Sequence, residues 1–198
     1  MQLVANDDFL LAMQAAGISL QPGWFRLSFG RYDETDRFWV WPWPPQDLAS
    51  LLTAVLQHIA PHAYCDAWRP GGVWHEDDPS YSDSVREVLL RGFSIPPDHL
   101  GALRFDTTET TAVIALVLAF AVAGWNINDD LCLVPDNRQF IVRVSHHAVL
   151  HVECREQALV GPLVAHMAAQ GWALPTEVPD PTFTVPAWMA RQDRDAPA

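Results

Sequence analysis

The segment 131-LCLVPDNRQFIVRVSHHAVLHVEC-154 decides the fold. It holds three short apolar runs, at 131–134, 138–144 and 148–154, separated by Pro135-Asp136-Asn137 and by Ser145-His146-His147. Runs rich in β-branched residues and broken by turn formers at this spacing predict an antiparallel meander. Side chains alternate along a strand, so in the third run Ala148, Leu150, Val152 and Cys154 share one face, while His147, Val149, His151 and Glu153 share the other.

Just upstream lies the longest apolar run of the chain, 112-AVIALVLAFAVAG-124. It is well short of the roughly 20 residues that cross a bilayer, so it predicts a buried central helix instead. Asp106 and Glu109 stand in a D-x-x-E arrangement suited to a capping box, and Gly124 supplies a left-handed stop. A helix apolar on nearly every side must be covered on several of them, by a sheet and by other helices. The meander is therefore expected to pack on a helix spanning 107–123.

Other elements follow from the same signals. Leu48, Leu51, Leu52, Val55, Leu56 and Ile59 recur at helical spacing and predict an amphipathic helix over 46–60. Asn6 is read as the cap of a helix at 7–16 stopped by Gly17, and Ser84 with Glu87 as a capping box opening a short helix that ends at Gly92. A last helix is expected within 155–170, with Pro162 kinking it or marking its true first turn and Gly171 closing it. Strands are also expected at 24–30 and 37–41 as an earlier pair. Neither a repeat nor a composition break is visible, so the expected organisation is one α+β domain over 1–190, an antiparallel β-sheet with a buried central helix and flanking helices, followed by a disordered polar tail at 191–198.

The chain has 198 residues, 49% of them apolar and 18% charged, which is ample for a core without disulfide staples. Its 24 acidic against 12 basic residues give a formal charge of -12. A field of that sign repels nucleic-acid phosphate and anionic lipid and attracts cationic surfaces. Cys65, Cys132 and Cys154 are odd in number, far apart and without a CxxC pattern, so neither a disulfide framework nor a zinc knuckle is expected. Within apolar strands, Cys132 and Cys154 are read as small hydrophobes. The first residues lack a basic stretch followed by an apolar one, which predicts a cytoplasmic protein.

Candidate chemistry is sparse. His147, His151 and Glu153 share a strand face, but positions i and i+4 on a strand lie about 13 Å apart, too far for one metal ion without a bend. The run Trp74-His75-Glu76-Asp77-Asp78 offers an imidazole beside carboxylates, from which general acid and base groups could be drawn; Gly71-Gly72 before it and Pro79-Ser80 after it mark a loop, and acidic loops are usually hydrated. Trp39, Trp41 and Trp43 alternate with Phe38 and Val40, a segment apolar on both sides and read as buried. Nucleophile-elbow, phosphate-loop, HExxH and dinucleotide-binding motifs do not occur. No cofactor and no metal are expected.

One resemblance adds to this reading. The succession Ala123-Gly124-Trp125-Asn126-Ile127-Asn128-Asp129-Asp130-Leu131, then Val134-Pro135-Asp136-Asn137, then Ser145-His146-His147-Ala148-Val149-Leu150-His151-Val152, resembles the carboxy-terminal half of immunity proteins found with bacterial polymorphic toxins. The closing Gly171-Trp172-Ala173-Leu174-Pro175-Thr176-Glu177 and Pro179-Asp180-Pro181-Thr182-Phe183, through Trp188-Met189, is similar to the same group, so the resemblance covers roughly 110–190. It implies a non-catalytic protein that occludes the active site of a cognate toxin with a basic surface. The expected contacts are Asp129, Asp130, Asp136, His146 and His147, at strand ends and turns, with Glu76, Asp77 and Asp78. Two other readings stay open: a small hydrolase, metal-dependent or not, using the His75 and Glu76 region or the His147 and His151 face, and a non-catalytic adaptor module.

Overall fold

A computed structural model describes residues 1–18, 24–33, 38–40, 45–61, 64–75, 83–123, 131–145 and 149–174. The three apolar runs of the meander form β7 (Leu131–Pro135), β8 (Phe140–Ser145) and β9 (Val149–Cys154), paired antiparallel in sequence order. They are the centre of something larger. Adding β1 (Gln2–Ala5), β2 (Phe25–Phe29), β5 (Cys65–Val73) and β6 (Leu100–Phe105) completes a seven-stranded sheet of order β1-β6-β5-β7-β8-β9-β2, antiparallel at every pairing.

The expected early strand pair is corrected in its partners. β2 pairs with β9, while β4 (Phe38–Val40) pairs with β3 (Arg31–Asp33) in a separate two-stranded ribbon. Trp41 and Trp43 lie outside the described residues, as do Gly124 and the tail at 191–198.

One face of the sheet carries the main core. The apolar stripe becomes α2 (Pro45–Ile59), and all of Leu48, Leu51, Leu52, Val55, Leu56 and Ile59 are buried. The central helix is α4 (Thr110–Ala123), covered by α2, by α3 (Asp83–Gly92) and by the sheet. Its entry is a 3-10 turn, Thr107–Glu109, closed by the expected capping box: the Asp106 side chain accepts from Thr108 N and Glu109 Oε2 accepts from Asp106 N. α5 (Val160–Ala169) follows another 3-10 turn, has Pro162 in its first turn, where no amide is needed, and ends at Gly171 with φ +86°. On the sheet side, Leu150, Val152 and Cys154 face this core, as their alternation predicts.

The opposite face has a smaller core of its own. α1 (Asn6–Ala15) lays Phe9 and Met13 over Trp68, Ala102, Cys132, Val134 and Ile141. Asn6 does not cap this helix; its Oδ1 instead accepts the Trp68 indole N–H at 3.0 Å, which satisfies a donor that burial would otherwise strand. α3 begins at Asp83, one residue before Ser84, and the Glu87 carboxylate meets His75 and Arg91. Among the described residues no helix is long and apolar enough to cross a membrane. The architecture is mixed α+β in one compact domain.

Candidate functional site

Charge is concentrated on the sheet face that α1 covers. Cross-strand registers place Arg104 beside Asp66, Asp66 beside Val134, Ile141 beside Glu153, and Glu153 beside Arg26, so all of them belong to one row across the sheet. Asp66 is fully buried and Glu153 nearly so. A buried carboxylate is tolerable only when its lone pairs are filled.

Each is held by two guanidinium groups. Arg104 forks onto Asp66 through Nε at 2.7 Å and Nη2 at 3.0 Å, and Arg138 Nη2 adds a bond at 3.0 Å. Glu153 Oε1 accepts from Arg26 Nη2 at 3.0 Å and from Arg143 Nε at 2.9 Å. Beside the second cluster, Ser28 Oγ and His151 Nδ1 are hydrogen bonded at 2.9 Å. A further cation, Arg69, is buried in the main core, over the Phe120 ring and donating to Val73 O and Trp74 O.

Asp136 is the one expected contact residue that the structure describes. It is exposed in the turn between β7 and β8, its N–H donates to Tyr64 O at 3.0 Å, and its carboxylate accepts from the Tyr64 hydroxyl, which pushes that phenol above its usual range. The Tyr64 ring in turn lies 4.1 Å from the Arg104 guanidinium. Asp136 is thus tied to the Asp66 cluster. Asp129, Asp130, His146, His147, Glu76, Asp77 and Asp78 lie outside the described residues.

Of the histidines named by the hydrolase reading, His75 and His151 are described and both are engaged. His75 Nδ1 meets Glu87 Oε1 at 2.8 Å and Nε2 meets Ile95 O at 3.2 Å. Both partners are acceptors, so each ring nitrogen is engaged within the fold. His151 is bound to Ser28, and Glu153, its neighbour on that face, is locked by arginines. Among the described residues no group of three His, Cys, Asp or Glu side chains could hold a metal ion.

At the same end of the sheet as Asp136, a cleft of about 400 Å³ opens between α2 and the entry to α4. Leu56, Cys65, Phe105 and Val113 are buried at its base; Gln57, Pro61, Asp106 and Thr107 are exposed at its edge. Burial, and then the neighbouring Asp66 charge, push the Cys65 thiol up to about 12, so the base of the cleft presents no thiolate at neutral pH. Sequence reasoning missed this cleft and both arginine clusters. The available signal was a lone charge inside each apolar strand pattern, Asp66 between Cys65 and Ala67, and Arg143 between Val142 and Val144. The chain matches no protein-family model, no curated protein and no solved structure.

Proposed function

We propose that this protein is a non-catalytic immunity protein that resides in the cytoplasm and neutralises a cognate protein toxin by covering its active site. The observation that carries this reading is the division of charge. Arg69 is buried, and Arg104, Arg138 and Arg143 are partly buried against Asp66 and Glu153, whose clusters each hold more cation than anion. Asp7, Asp8, Asp98, Asp106, Asp136 and Glu156 are exposed. The remaining surface is consequently more acidic than the formal charge of -12 conveys. Such a surface disfavours nucleic acid and suits a basic partner, whose encounter it accelerates by steering. A toxin that binds phosphate with basic residues is a partner of this kind. The occupation of both His75 nitrogens weighs against the hydrolase alternative.

The test is rescue of cells expressing the product of the neighbouring gene, followed by association kinetics. An Asp129→Lys/Asp130→Lys variant should fold, associate more slowly and show a weaker dependence on salt. Equal rates and equal salt slopes would remove these residues from the interface.

A further inference from the structure

We propose that the cleft between α2 and the entry to α4 is an anchor pocket for one cationic side chain, arginine or lysine, of the protein partner. The biological role of the pocket rests on the toxin-binding reading; its chemistry rests on the residues that line it. Leu56, Phe105 and Val113 give an apolar base suited to an aliphatic stem, and Asp106 stands exposed at the edge, where the charged head would end. Long basic side chains bind in this divided manner, stem against hydrocarbon and head against carboxylate. A cleft of about 400 Å³ holds such a side chain with some water.

The local charges select a cation. Met1's ammonium group is paired with Glu109, and Arg104 and Arg138 are shared between buried Asp66 and the adjoining Asp136 and Tyr64. Met1's ammonium also acts on Asp106 through its charge, but with Glu109 beside it the three groups together keep one net negative charge at this edge of the cleft. Asp106 Oδ1 accepts from Thr108, and its Oδ2 makes no hydrogen bond among the described residues. The bonds from the Thr108 side chain and backbone hold the Asp106 carboxyl below the usual range, so it stays ionised at neutral pH. An anion is disfavoured by the Asp106 charge itself, and the Asp106 and Thr108 amides already serve Glu109 and Asp106. A second copy of the chain is disfavoured by repulsion between two molecules of charge -12.

The experiment titrates the full-length chain with N-acetyl-arginine amide, and with N-acetyl-citrulline amide as its uncharged isostere, at constant ionic strength, following backbone amide resonances. Saturable shifts should be confined to Thr53, Gln57, Thr107, Thr110 and their neighbours. Binding should be about threefold to fivefold weaker for the citrulline probe and for Asp106→Asn. Asparagine caps a helix as well as aspartate does, so an unchanged spectrum with weakened binding isolates the charge. Non-saturating shifts spread over the acidic surface, equal binding of both probes, or a cleft filled by self-association in sedimentation would each overturn the proposal. In a second arm, Gln57→Trp, an exposed position that can fill the cleft, should weaken binding of the neighbouring-gene toxin at least about tenfold. If wild type binds no such toxin while the arginine probe saturates the cleft, the toxin reading falls and the pocket stands. If wild type, Gln57→Trp and Asp106→Asn all neutralise equally, the pocket falls and the toxin reading stands.

Discussion

The two faces of the seven-stranded sheet are built on different physics. Toward α2, α4 and α5, the strands contribute Leu103, Leu133, Val142, Leu150 and Val152 to a continuous apolar core. Toward α1, a small apolar centre around Trp68 and Ile141 lies between two buried carboxylates, each held by two arginines. The first face gains stability from area removed from water, a term that is additive and tolerant of exchange among apolar residues of similar volume. The second is specified by hydrogen bonds between charges that have few alternatives once buried. An apolar face can be degraded by degrees, whereas a charged cluster fails when one member goes.

The largest effect expected tests the apolar face. Leu116→Asp or Val117→Asp would bury an unpaired charge in a helix enclosed by α2, α3 and the sheet, at a cost above about 4 kcal/mol. Ile114 and Leu118 of the same helix are only partly buried, so a charge at either should cost less. A urea midpoint unchanged from wild type would reject the assignment of α4 as the centre of the core.

Next in size comes the charged face. Glu153→Gln or Asp66→Asn leaves two guanidinium groups without their anion and should cost about 3–5 kcal/mol, read from urea unfolding. The contrast with the other face lies in a combined change: Glu153→Leu with Arg143→Leu should recover a large part of that loss, because an apolar pair of similar bulk needs no desolvation of charge. Additive losses in the double variant would mean that the arginines do more than neutralise Glu153.

How much of each face was legible follows from the same difference. The α2 stripe, the capping box at Asp106 and Glu109, and the alternation at Leu150, Val152 and Cys154 are local patterns, and they place the apolar face directly. β5 was hidden because Arg69-Pro70-Gly71-Gly72 reads as a turn; the strand carries a register shift there, with Gly72 at φ +73°. β6 was hidden by Gly101, at φ +144°, where a Cβ would collide with Val4 O of the neighbouring strand. The charge clusters join Asp66 to Arg138 and Arg26 to Glu153 across long stretches of chain, and no periodicity encodes such pairings. Of the contact residues expected from turns and strand ends, Asp136 alone falls within the described residues, exposed as a turn residue should be.

A smaller effect separates the faces by pH. Against the apolar core, His58 of α2 lies with its ring 5.0 Å from that of His166 of α5, and burial, then the neighbouring imidazole, lower its pKa. A folded-state pKa below the unfolded value of 6.5 means that the unfolded chain takes up the proton first. Stability is therefore full above about pH 6.5 and is lost as pH falls through and below that value. Urea midpoints measured between pH 7.5 and 5.5 should fall for wild type and fall less for His58→Leu. Equal slopes in the two proteins would remove the histidine pair as the source.

The smallest effect belongs to the rim of the charged face. Asp136 is exposed, so Asp136→Asn should change stability by no more than about 0.5 kcal/mol. Its carboxylate nevertheless opposes ionisation of Tyr64 twice, by accepting the phenol's hydrogen bond and by its own charge, while Arg104 and Arg138 pull the other way. In the folded protein the raised pKa means that the proton is held more tightly than in the unfolded chain. The corresponding stabilisation is present below about pH 10 and is lost as pH rises through the folded pKa. Removing the Asp136 charge should let Tyr64 ionise at lower pH, visible as an earlier phenolate absorbance step in a chain with only 3 tyrosines. An unchanged step would detach Asp136 from the Tyr64, Arg104 and Asp66 cluster. The charged face would then end at Arg138, and Asp136 would belong to the outward acidic surface.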